Sequence, residues 1–263
     1  MTADRWTQVV RQRLGLGRLL PLGLALDGAW ITEEAAGSVL RRETAAVEGV
    51  RLGALRIALA DPDRAGTPAV PPPPSALPPG PLRVTAEFRA SADPTALGVE
   101  PLPAVAARLR LAVVSAATRL LGLDVAEVDL RVTDLLEDED EVSSAGPAGT
   151  DRGEPVAVRG DGVRPAPAPR DPEEAGIAAA VLAVPGVTRL TDSLGRPVHV
   201  ESTPPDTEPA LPRRHIRVEL EVAGDERAVD VARAVRAAVT EAVRDTPSVA
   251  VLVTAVSGDT DPG

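Results

Sequence analysis

Apolar positions along the chain alternate between two spacings. Over residues 102–135, Leu102, Val105, Leu109, Val113, Ala116 and Leu120 recur three and four apart, which predicts one buried helix face. Gly122 then stands where a left-handed helix cap needs a residue without a Cβ. The spacing drops to two, with Val128, Leu130 and Val132 alternating with Asp129, Arg131 and Thr133. That pattern predicts a strand with one buried face. Upstream, a helix is expected over 31–47, with Thr32 as N-cap and Glu33 and Glu34 in the first turn. The sequence Val47-Glu48-Gly49-Val50 leads from it into a strand carrying Leu55, Ile57 and Leu59. A further strand places Leu82, Val84, Ala86 and Phe88 on one face.

The same order is expected again from residue 171. Asp171-Pro172-Glu173-Glu174 is a helix start: an acidic cap, a proline at the first position and a glutamate at the third. Val184-Pro185-Gly186-Val187 echoes Val47-Glu48-Gly49-Val50. Strand-like residues follow near Leu190 and over 198–200. Ile216, Val218, Leu220 and Val222 then match the 82–89 strand. Val231, Val235, Val239 and Val243 repeat the helical stripe, and Val249, Val251 and Val253 form a last strand.

The 27 prolines divide these patterns. The expected fold class is α+β, built from two tandem α-β-β-α-β units, each a small sheet with helices on one face, joined by a Pro/Gly/acidic linker. The expected layout begins with an N-terminal basic amphipathic segment at 1–28. A first unit at 29–136 carries a proline-rich insertion at 61–81, expected to be an extended, exposed spacer. A disordered linker at 137–170 leads to a second, divergent unit at 171–257 and a tail at 258–263.

Composition narrows the function. The net charge of −11 argues against nucleic acid as a partner. All 28 basic residues are arginine, which reads as codon bias. No cysteine is present, so no disulfide framework is expected. The apolar stretch at 14–26 is interrupted by Arg18 and Pro21 and is too short to span a bilayer, so a cytoplasmic chain is expected. No strand-to-helix glycine motif or nucleophile elbow occurs. His199 and His215 lack companions at metal spacing, and the Asp124 and Glu127 carboxylates are expected at the surface. No catalytic, cofactor-binding or metal residue is therefore assigned, and no cofactor is expected.

Two features suggest contacts with other molecules. Trp6, Val9, Val10 and Leu14 share one helical face, suited either to packing on their own domain or to docking on a partner or membrane surface. In the last strand the residues opposite Val249, Val251 and Val253 are Ala250, Leu252 and Thr254. This largely apolar second face needs a cover from the first unit, the N-terminal segment or another subunit. Trp6, Val10, Leu14, Ala250 and Leu252 form the candidate interaction surface.

The Glu48-Gly49-Val50 turn, the two strands after it, the helix, and the closing Gly122-Leu123-Asp124-Val125-Ala126-Glu127-Val128-Asp129-Leu130-Arg131-Val132 resemble the alkaline shock protein family of Gram-positive envelope-stress proteins. Leu121 stands where that family carries threonine. The start RWTQVVRQRLGLGRLLPLG and the two-part layout are similar to actinobacterial proteins filed under a nucleopolyhedrovirus P-ten label. The resemblance implies a non-enzymatic, self-associating adaptor that forms homo- or hetero-oligomers with related stress proteins. It also implies a membrane-anchored partner that holds the protein at the inner face of the cell membrane. The alternative is a regulatory protein with a small-ligand site between the two repeats.

Overall fold

A computed structural model describes residues 17–91, 101–136, 169, 171–203 and 213–258. The fold is α+β, with helices and two mixed sheets. Helix α1 (Glu33–Thr44) begins at Thr32, whose hydroxyl accepts from the Ala35 amide at 3.1 Å. Strand β3 (Val50–Leu59) pairs antiparallel with β4 (Leu82–Ser91). The chain crosses through α2 (Leu102–Ala116) to β5 (Val125–Leu136), which lies parallel to β4 and completes a three-stranded sheet.

The later stretch departs from the expected α-β-β-α-β order: three strands, not two, stand between its helices. Helix α3 (Pro172–Leu182) starts at Asp171, whose carboxylate accepts from the Glu174 amide at 2.8 Å. Strands β6 (Val187–Leu190) and β7 (Val198–Thr203) both pair antiparallel with β8 (Arg213–Val222). Helix α4 (Ala228–Ala242) then crosses to β9 (Ser248–Val256), parallel to β8. Gly49 and Gly186 both have positive φ (69° and 85°), and each is followed directly by its strand. The short sequence echo thus marks two left-handed turns, a conformation that glycine adopts without a Cβ clash.

The larger sheet extends beyond the boundaries expected for the second unit. Strand β2 (Ala29–Thr32) pairs parallel with β9, and β1 (Leu19–Pro21) pairs antiparallel with β2. Residues assigned by sequence to the N-terminal segment and to the start of the first unit are therefore strands of the other half's sheet. The cause lies in β9, where Val249, Ala250, Val251, Leu252 and Val253 are all buried. A strand apolar on both faces belongs in a sheet interior, with a neighbour along each edge.

Helix α1 packs against both β9 and β3, so the inner faces of both sheets and all four helices share one continuous apolar core. Glu33 fastens this join: its carboxylate accepts from the Ile57 amide (2.8 Å) and the Arg18 amide (3.4 Å).

Two local expectations change. The buried face of α2 and of the turn that follows it runs through Val105, Leu109, Val113, Ala116, Ala117 and Leu121, while Leu102 is exposed and Leu120 only half-buried. A wide π turn at Ala117–Leu121 closes the helix, and both the Gly122 and Leu123 amides donate to the Ala117 carbonyl. The wider turn lets a four-residue spacing stay on one face, where a 3.6-residue period would drift off it. In β5, Val128 and Leu130 are half-buried and Val132 is 45% exposed, because among the described residues β5 is the edge strand of its sheet, paired on the β4 side alone.

Candidate functional site

The polar chemistry of the chain collects on the second face of the larger sheet, the one turned away from the helices. In β8, Ile216, Val218 and Leu220 face the helices, so His215, Arg217 and Glu219 face the other way. Strand register sets their neighbours. His215 lies between Glu201 and Ser248, Arg217 between His199 and Ala250, and Glu219 beside Leu252, which is itself beside Trp30.

The apolar end of this face is covered by the chain itself. Leu19, Trp30, Val70, Ala250 and Leu252 form a second core, with Ala76 and Leu194 packed on it. The 61–81 insertion supplies Val70 and Ala76. It is held by hydrogen bonds from the Leu77 amide to the Leu19 carbonyl (2.8 Å), the Ala69 amide to the Ala25 carbonyl (3.1 Å) and the Trp30 indole to the Leu77 carbonyl (3.2 Å). It is a strap rather than an exposed spacer, because its few apolar residues seal a sheet face that water would otherwise wet. Ala250 and Leu252 are fully buried beneath it and are not a surface for another molecule; the first unit's insertion and the N-terminal strands are the cover. Trp6, Val10 and Leu14 lie outside the described residues.

Glu219 is the most perturbed group in this arrangement. It is fully buried under the 191–197 loop, and its Oε2 accepts from the Leu194 amide at 2.8 Å. Arg217 Nη2 stands 3.4 Å from Oε1, yet that oxygen and Arg217 Nε are buried without a hydrogen bond. Burial raises the Glu219 pKa to about 7, against the opposing pull of the Leu194 amide and Arg217. Alternation in β8 puts Glu219 on the face opposite Ile216, Val218 and Leu220 but does not say whether that face is dry. The available signal was in β9, whose apolar Ala250 and Leu252 required that face to be covered.

His215 Nδ1 and Ser248 Oγ are 2.8 Å apart, and Ser248 Oγ donates to the Arg214 carbonyl at 3.4 Å. With both contacts made, the serine proton is directed at a carbonyl and the imidazole donates to the serine. Activation of a nucleophile needs the reverse polarity. His199 and His215 both have lowered pKa values, first through burial, with the Arg217 charge acting in the same direction. Both half-buried imidazoles therefore favour the neutral form. Among the described residues no group of three His, Cys, Asp or Glu is placed to hold a metal ion.

Elsewhere, both arginines of α4 that line a shallow open depression are already engaged. Arg233 holds both carboxylate oxygens of Asp27 at 2.9 Å, lowering the aspartate's pKa. Arg236 donates to the carbonyls of Leu26, Asp27 and Val249. On the smaller sheet the outer face is wet: Arg83 pairs with Glu127 (2.5 Å) and Asp129 (3.7 Å), all exposed.

Compared with family models, curated proteins and solved structures, the chain matches none. The geometry must therefore carry the functional reading by itself. Among the described residues no helix is long and apolar enough to cross a membrane.

Proposed function

We propose that this chain is a non-enzymatic structural or adaptor protein of envelope-stress assemblies, acting through protein–protein contacts. The supporting observation is a contrast between inside and edge. Glu33, Glu174, His215 and Ser248 are bound to partners within the chain, whereas β5 offers 12 residues of strand whose outer edge no described strand occupies. The partners in this reading are related stress proteins, further copies of the chain, or a membrane-anchored protein at the inner face of the cell membrane. The rival reading, a small-ligand regulator with a site between the repeats, has less support. Apolar side chains from α1, α2 and both sheets fill that junction as one core. Crosslinking in cells followed by identification of the bound proteins tests the proposal. Recovery of a related stress protein or a membrane-anchored partner is expected. Recovery of no protein, with a small molecule co-purifying, would overturn it.

A further inference from the structure

We infer that two copies of this chain join edge to edge through β5, antiparallel about Leu130, to form one continuous sheet. The inference rests on the contact-making function above and names one partner for it.

The sheet edges differ in how they are closed. The edge at β1 is bridged by Ala76 and Leu77 of the strap. At β3 the Ile57 amide and carbonyl are taken by Glu33 (2.8 Å) and Arg18 (3.3 Å), and the strand slips register between Leu52 and Leu55. On the far side of β8 the edge is broken into the short strands β6 and β7. Slips, short strands and covers are the usual ways in which an edge is made unfit for pairing. Strand β5, the longest strand among the described residues, also slips register against β4, between Val125 and Glu127 and between Val132 and Asp134, and Arg110 from α2 donates to its Val128 carbonyl at 3.2 Å; between the two slips, residues 127–132 pair with β4 in unbroken register, and no described strand or strap lies along their outer edge.

Its sequence is self-complementary in one register. Antiparallel pairing about Leu130 sets Asp129 opposite the second copy's Arg131, and Arg131 opposite its Asp129. Val128 then meets Val132, which covers the half-exposed rim valine, and Glu127 meets Thr133. Shifting to the next face-preserving register on one side places Asp129 opposite Asp129. The shift on the other side places Arg131 opposite Arg131. Like charges directly opposite disfavour both alternatives, and opposite charges favour the centred one. A two-fold axis through Leu130 satisfies both charge pairs at once.

Sedimentation and light scattering of the full chain test this. Wild type is expected to approach twice 27.1 kDa as concentration rises. Arg131→Asp and Asp129→Arg, both at exposed positions, should each weaken dimerisation by about tenfold or more. The double variant D129R/R131D should restore it. Because the chain has no cysteine, Leu130→Cys should give a disulfide-linked dimer on oxidation, whereas Glu127→Cys should not. A wild type that stays monomeric at all concentrations would overturn the inference, as would a dimer indifferent to the charge reversals. If the chain is monomeric but captures another stress protein in cells, this inference fails and the adaptor function stands. If neither contact is found, both fail.

Discussion

Glu219 shows how a single side chain records its surroundings. Its carboxyl carries a raised pKa, so between the unfolded value near 4.5 and the folded value near 7 the native state holds a proton that the unfolded chain has released. The stability contributed by that proton is present below the unfolded pKa and is lost as pH rises through the folded one. Glu219→Gln keeps an oxygen for the Leu194 amide and removes the titration. Urea unfolding at pH 5 and pH 8 should show the variant gaining on wild type at the higher pH, by about 3 kcal/mol at most. Equal differences at both pH values would show that the carboxyl is not protonated in the folded protein. The comparison must be with the variant, because the low carboxyl pKa values of Asp27 and Asp245 tilt the overall profile the opposite way under acid.

At the scale of elements, the join between α2 and β5 depends on Gly122. Its φ of +85° is left-handed, and a Cβ there would overlap the Val229 side chain on α4. Gly122→Ala should therefore cost about 1–2 kcal/mol for the backbone conformation, with the overlap added, read as a drop in the denaturation midpoint. The strap acts at the same scale. Leu252→Asp would place an unpaired charge between Trp30, Val70 and Leu19. A loss of roughly 3 kcal/mol or more is expected, without any change in the assembly state of the protein that remains folded. A variant of normal stability but altered mass would instead mean that Leu252 faces another subunit.

For the whole molecule, the shared core predicts one unfolding event. The N-terminal strands complete the sheet of the later half, α1 touches both sheets, and Glu33 ties α1 to β3. Far-UV circular dichroism and the fluorescence of buried Trp30 should follow the same denaturant curve. Two separated transitions would show that the halves fold independently.

Much of the local structure was legible in the sequence because periodicity and caps are properties of neighbouring residues. Thr32 and Asp171 cap their helices, Gly122 ends the π turn, and the alternation at 82–88 buries Leu82, Val84, Ala86 and Phe88 as expected. The burial of Glu219 was not legible, because alternation distinguishes two faces but does not say whether the second is dry. The sequence by itself determined the main helices and the strands from Val50 onward, though not the N-terminal strands β1 and β2, and that Ala250 and Leu252 needed a cover. Only the tertiary structure decided that the cover is the chain's own strap and N-terminal strands, and that no described strand pairs with the outer edge of β5. Those outcomes depend on long-range pairing, where distant segments compete for the same surface, and no local pattern records which of them wins.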